Sequence, residues 1–233
     1  MEKMEKKEKE TKTSEPAGQK TAGTGAESRA DRDADRDADS VSGQNRSFFL
    51  RSDRIGFSVW DGRDLPLARL LWGNPQVTRY ICASGVFSET DIENRLKLEI
   101  SNGKKYSVQY WPIFQLEMGA FLGCCGLRPH GEKMREYEIG IHLRPEAWGQ
   151  GYASEAIRAV IACAFAGTEG RKSGANDFPP IHAECLFAGH HPDNHASEKL
   201  LAGLGFQPIG TEFYAPTGLY HPSYRMEKPE NCK

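Results

Sequence analysis

Residues 137 to 165 hold the feature that most limits what this chain can fold into. Tyr137-Glu138-Ile139-Gly140-Ile141-His142-Leu143 reads as a strand, and a helix-like segment, Ser154 to Phe165, follows. Around that helix Ala153, Ile157, Val160, Ile161, Ala164 and Phe165 recur at helical spacing and form a buried face. Between strand and helix runs Arg144-Pro145-Glu146-Ala147-Trp148-Gly149-Gln150-Gly151-Tyr152-Ala153. A glycine-rich turn at such a junction leaves backbone N–H groups unpaired, with the positive end of the helix dipole behind them. The segment therefore reads either as an ordinary glycine-capped connection or as a diphosphate site. Glycine lets the backbone approach an anion closely and take φ > 0 where the turn needs it.

Two familiar phosphate loops fail against these residues. A Walker-type loop ends Gly-Lys-Ser/Thr, whereas Gly151 is followed by Tyr152 and Ala153, with no lysine for a terminal phosphate. A dinucleotide fingerprint needs a third glycine, and Ser154 stands in its place. A third pattern fits. Trp148-Gly149-Gln150-Gly151-Tyr152-Ala153 resembles the pyrophosphate loop Gln/Arg-x-x-Gly-x-Gly/Ala of the GNAT superfamily of acyl-CoA-dependent N-acyltransferases, with Trp148 where Gln or Arg is usual. The ribosomal-protein N-terminal (Rim-type) branch looks most similar, because its loop often reads aromatic-Gly-x-Gly-x-Ala. Upstream, Arg51 to Phe57 followed by Asp64-Leu65-Pro66-Leu67 resembles that branch's first strand and helix. Downstream, Asn194-His195-Ala196-Ser197 followed by Leu204-Gly205-Phe206 is similar to its Asn-x-x-Ser … Leu-Gly-Phe signature. The ordered set covers roughly residues 46 to 228.

The resemblance implies an α/β (α+β) fold, GNAT-like, with a mixed, mostly antiparallel central sheet flanked by helices and acetyl-CoA wedged between the central strands. It implies cofactor contacts from Ile141, His142 and Leu143 on the strand, from Trp148, Gly149, Gln150, Gly151, Tyr152, Ala153 and Ser154 on the loop, and from Asn194 and Ser197. Ser197 would protonate the leaving thiolate. Glu138 and His142, on the same strand face by alternation, are candidates to take the amine's proton. The plainer readings are a surface carboxylate or partner of Arg135 for Glu138, half-buried packing for His142, and a helix N-cap for Asn194. The glutamate that some relatives carry after Leu-Gly-Phe falls near Ala215-Pro216 here and does not transfer. Glu212, Tyr214, Tyr220 and His221 lie nearby, and nothing in the sequence selects among them.

An N-acetyltransferase acting on a primary amine, a protein N-terminus or a small molecule, is the expected activity. The alternative is a non-catalytic acyl-CoA-binding sensor or interaction module on the same fold. An α-amine with a pKa of ~8 costs about 1.4 kcal/mol to be neutral at pH 7, a lysine at ~10.4 about 4.6 kcal/mol, so the smaller demand on a base favours an α-amine.

Residues 1–45 stand apart in composition. They carry nine Lys/Arg against eleven Asp/Glu, hold the whole formal net charge of −2, contain no aromatic residue and repeat Asp-Arg-Asp-Ala. A disordered charged tail is expected there, with the transferase domain over 46–228 and a short tail over 229–233. The balanced remainder gives no electrostatic argument for nucleic acid. No apolar run approaches the ~18 residues of a membrane span, and no secretory leader is visible. The six cysteines show no Cys-x-x-Cys spacing, and most sit in apolar stretches and read as small buried hydrophobes in a reducing, cytoplasmic setting. His182, His190, His191 and His195 cluster, but the adjacent pair has no matching ligand set, so no metal is expected. A monomer or homodimer fits equally.

Periodicity then predicts the order of elements. An edge strand covers Phe48 to Trp60, a helix is capped by Asp64, and a second helix runs from Glu89 to Ser101 with Ser88 as cap and Gly103 past its end. An antiparallel meander follows over 106–114, 119–127 and 135–143. After the glycine loop and its helix come a long loop over 167–180, a strand over 181–188, a helix over 196–204 and strands over 206–211 and 224–227.

Overall fold

The computed structural model describes residues 43, 46–131, 135–166 and 181–229. The expectations about the 1–45 tail apart from Gly43, the 167–180 loop, and the C-terminal tail after Pro229 lie outside the described residues.

The predicted edge strand is a tight hairpin instead. Strand β1 (Leu50–Arg51) turns at Asp53 and pairs antiparallel with β2 (Ile55–Phe57). Asp61, not Asp64, opens the helical segment, capping a 3-10 turn (Gly62–Asp64) in a reciprocal box with Asp64. Asp64 is buried and takes the Asp61 N–H and the Arg46 guanidinium, so it has no cap bond left for helix α1 (Leu65–Trp72). A short helix that periodicity missed, α2 (Pro75–Thr78), is capped by Asn74. Helix α3 (Glu89–Tyr106) starts at the expected Ser88, which trades hydrogen bonds with Asp91. It runs past Gly103, however, and stops at Ser107 in the left-handed conformation. A Cβ at Gly103 would overlap the Gln109 amide, so that glycine makes room for a neighbour.

Strands β3 (Tyr110–Gln115), β4 (Phe121–Pro129) and β5 (Glu136–Leu143) form the expected antiparallel meander. Helix α4 (Tyr152–Ala166) leads to β6 (Cys185–Gly189), then come α5 (His195–Gly203) and the hairpin of β7 (Gln207–Tyr214) and β8 (Leu219–Glu227). One sheet results, in the order β1-β2-β3-β4-β5-β6-β8-β7, antiparallel everywhere except β5 against β6.

The sheet separates two cores. On one face Ile139, Leu143, Leu127 and Trp111 pack with Ala156, Ile157, Val160 and Ala164 of α4. On the other, Tyr110, Phe114 and Cys124 pack with Leu67, Leu71 and Trp72 of α1 and Ile92 and Leu96 of α3. The alternation of β5 gives Ile139 and Leu143 to the first core and turns Glu138 and His142 to the opposite face. Cys124, Cys125, Cys163 and Cys185 are buried thiols, as their apolar contexts predict.

Candidate active site

The parallel pair is where the sheet opens. Strand β5 matches β6 only at Glu136–Cys185, Tyr137–Leu186 and Glu138–Phe187, after which β6 pairs with β8 alone. On β5's other side the ladder with β4 continues to Leu143. The Arg144 N–H reaches Leu122 O and the Glu136 carbonyl accepts from His130, so even-numbered residues point their backbone at β4. Alternation then turns the N–H groups of Ile139, Ile141 and Leu143 toward the opening. That opening is a cavity of about 670 Å³ whose walls include Ile141, Leu143, Gly149, Gly151, Asn194 and Ser197.

At one end the glycine loop supplies an anion cradle. Gly149 (φ 71°) and Gly151 (φ 81°) are both left-handed, a conformation that costs other L-residues about 1–2 kcal/mol. Among the described residues, the N–H groups of Gly149, Gln150, Gly151, Tyr152, Ala153 and Ser154 have no backbone acceptor; the first helical bond is Glu155 N–H to Gly151 O at 3.2 Å. Such a run of free N–H groups at a helix start fits a pyrophosphate. Side chains around the loop hold its shape. Trp148 Nε1 donates to Leu143 O at 2.9 Å, and Gln150 Nε2 donates to Glu146 O at 2.6 Å.

Sequence reasoning missed the brace behind this loop. Glu155 receives Ser52 Oγ (2.7 Å), Arg54 N (2.8 Å) and Arg54 Nε (2.7 Å), while Arg54 Nη1 donates to Gln150 O at 3.1 Å. The Arg54 guanidinium also lies 4.5 Å over the Tyr152 ring. Burial pushes the Glu155 carboxyl up, but these hydrogen bonds outweigh it and hold the group below its ordinary value. The local signal for it is a carboxylate in the first helical turn; its partners lie about 100 residues earlier in the chain.

At the other end stand the titratable groups. Glu138 Oε1 accepts from the Tyr110 hydroxyl at 2.5 Å. Burial and the neighbouring Glu138 raise Tyr110 well above the ordinary phenol range, so it is a donor. His142 is half-buried on the strand face that carries Glu138, and its Nδ1 accepts from Trp72 Nε1 at 3.2 Å. Burial first, then Arg95 and Arg128, depress it well below 6.5. An indole N–H can only donate, so the single proton of this neutral imidazole sits on Nε2. The His142 N–H belongs to the β4 ladder. Asn194 Oδ1 caps α5 by accepting the Ser197 N–H at 3.2 Å. The Ser197 hydroxyl makes no hydrogen bond among the described residues and lines the cavity. Of the polar groups the sequence left undecided, Glu212, Tyr214 and His221 reach the cavity wall, whereas Tyr220 is exposed outside it.

His191 stacks on Tyr80, and His221 lies beside His191 and bonds Thr217 Oγ1 at 2.8 Å. Among the described residues no three His, Cys, Asp or Glu side chains converge as a metal site. None of the helices described is long and apolar enough to cross a membrane.

Known proteins match this arrangement. Residues 54–207 match the acetyltransferase (GNAT) domain family. The uncharacterized N-acetyltransferase YoaA of Bacillus subtilis (strain 168) is 27% identical over 164 residues, covering 69% of this chain and 84% of that protein. Two solved structures share the fold. RimL, the ribosomal L7/L12 alpha-N-protein acetyltransferase in complex with coenzyme A, superimposes with a TM-score of 0.59 at 17% identity over 77% of this chain and 97% of its own. The Salmonella typhimurium acetyl transferase that modifies the N-terminal serine of ribosomal protein L7/L12 gives 0.58 at 17% identity over 76% and 96%. The family match takes in the entire strand, loop and helix around the opened sheet, and the chain belongs to the GNAT acetyltransferases, acting as an acetyl-CoA-dependent N-acetyltransferase.

Proposed function

We propose that the acceptor is an α-amine, of a protein N-terminus or a small molecule, and that Glu138 takes its proton. The observation that carries this is the Glu138 carboxylate itself, on the cavity wall of β5, with one oxygen fixed by Tyr110 and the other free of hydrogen bonds among the described residues. His142 is the weaker assignment, because its Nδ1 lone pair is occupied and its other nitrogen carries the proton.

Acetyl-CoA supplies an acyl carbon already activated as a thioester. Binding falls to the N–H groups of Gly149 to Ser154 for the pyrophosphate and to the Asn194 amide for the pantetheine arm. The Ile141 and Leu143 N–H groups receive the thioester carbonyl oxygen and donate more strongly as charge builds on it. Glu138 accepts the ammonium proton, and the freed amine attacks along the open side of β5. The C–N bond forms, the C–S bond breaks, the Ser197 hydroxyl protonates the departing sulfur, and the second proton shed by the nitrogen as the amide forms restores that hydroxyl. The buried thiols support a reducing, cytoplasmic setting for this chemistry.

The similarity to an N-terminal serine acetyltransferase and the low cost of a neutral α-amine both support this acceptor class. Thiol release measured over peptides with free N-termini, ε-acetyl-blocked and unblocked lysine peptides, polyamines and amino acid amides tests it. α-Amines should lead the panel and Glu138→Gln should lose most of that rate. A lysine side chain or polyamine preferred over every α-amine would overturn the acceptor class.

A further inference from the structure

Glu138 is held from an unexpected direction. Tyr110 lies on β3, two strands away, in the cross-strand row Tyr110–Gly126–Gly140. Neither glycine carries a side chain, and a Cβ on Gly140 would overlap the Tyr110 hydroxyl. The phenol crosses that cleared row to reach Glu138 Oε1.

The ring is itself clamped. The guanidinium of Arg128 lies 4.1 Å from its centroid and that of Arg95 lies 5.7 Å away. Both arginines pair with the fully buried Glu99, Arg95 through Nε at 3.0 Å. The second Glu99 oxygen accepts the Tyr110 N–H at 2.9 Å. His142 closes the other side edge-on at 5.7 Å. Around Glu138 the further charged or titratable groups are Arg128 and Tyr214. A buried phenol fixed on all sides has little freedom to point its hydroxyl elsewhere.

We propose that Tyr110 is a positioning residue for the transfer, holding Glu138 by Oε1 so that Oε2 is presented to the amine, with Gly140 as the space it requires. The inference rests on Glu138 as the proton acceptor. In that step an N–H bond of the ammonium breaks and an O–H bond forms on Oε2, while Tyr110 keeps its own proton. Neither the glycine loop nor Ser197 depends on it.

The test uses the full chain as wild type, Tyr110→Phe, Gly140→Ala and Glu138→Gln, with acetyl-CoA and the best α-amine of the panel. Rates are taken at pH 7 and at about pH 9.5, where an α-amine of pKa ~8 is already neutral. Tyr110→Phe should lower kcat on the order of 10-fold at pH 7, leave KM for acetyl-CoA unchanged, and recover to within about 2-fold at the higher pH. Gly140→Ala should reproduce that pattern, and it keeps the test open if Tyr110→Phe proves unstable. Glu138→Gln should be the more impaired at pH 7. A Tyr110→Phe defect equal at both pH values means packing alone and overturns the proposal, as does full activity in both Tyr110→Phe and Gly140→Ala beside an impaired Glu138→Gln. A fully active Glu138→Gln overturns the proton-acceptor reading beneath it, and a wild type that acetylates nothing on the panel overturns both.

Discussion

At Gly151 a side chain would meet two penalties at once. The backbone there has φ 81°, so Gly151→Ala should cost about 1–2 kcal/mol in thermal or urea unfolding. Gly151→Glu adds a carboxylate beside the N–H groups meant for a pyrophosphate. We expect it to weaken acetyl-CoA binding more than 100-fold in a folded protein, read by calorimetry, a loss of about 2.7 kcal/mol. Ser197→Ala makes a different prediction, because its hydroxyl has no structural bond to lose. Here kcat should fall while both KM values and the melting temperature hold; a raised KM for acetyl-CoA would instead mark Ser197 as a binding residue. The loop glycines and the Asn194 cap were legible because their chemistry is local, within a few residues of chain. The bonds that orient Glu138 and His142 join residues 28 and 70 positions apart, and no spacing rule records such pairs.

Between elements, the brace from the β1–β2 turn to α4 ties the cofactor loop to a segment about 100 residues earlier. Glu155→Gln keeps the shape and removes the charge. It should cost about 1 kcal/mol at pH 7, less than a fully buried charged hydrogen bond because half-exposed Arg54 is screened by solvent. The sign of its pH dependence follows from the lowered carboxyl. Its contribution is present above the unfolded value near 4.5 and is lost as pH falls through the folded one. Urea midpoints of wild type and variant should therefore draw together as pH falls below 4.5; a gap that does not narrow there would point to packing rather than charge. The hairpin resembles one edge strand in the sequence because Phe48 to Leu50 and Ile55 to Trp60 together make a single loose alternation. Its break at Ser52 to Arg54 exists to make those contacts. Helix α3 outruns its expected end for a related reason: Gly103 has the character of a stop signal and serves as a gap for Gln109.

For the molecule as a whole, β5 gives its apolar residues to one core, and His142 on its other face touches the second through Trp72. Because its folded pKa is depressed, the unfolded chain binds a proton there that the native one refuses. Stability is full above about pH 6.5 and falls as pH drops below it, by up to about 1.4 kcal/mol per pH unit. His221, depressed by burial and by His191 and His190, adds in the same sense. Chemical denaturation between pH 7.5 and about 5.5 should show this slope, reduced in His142→Asn; an unchanged slope would place the sensitive group elsewhere. The meander, the mixed sheet and its flanking helices could be read from the sequence, since each rests on periodicity or a short connection. That β5 and β6 part after three paired residues could not, because nothing in either strand says where its partner leaves. That parting sets two sheet edges facing each other inside one molecule. An exposed edge ordinarily invites pairing with other chains. Recessed here, it offers the same unsaturated backbone only to something slender enough to enter, so the occupant behaves as a missing strand. Ligand and fold then share one hydrogen-bond ladder, and the melting temperature should climb with the logarithm of acetyl-CoA concentration above its Kd.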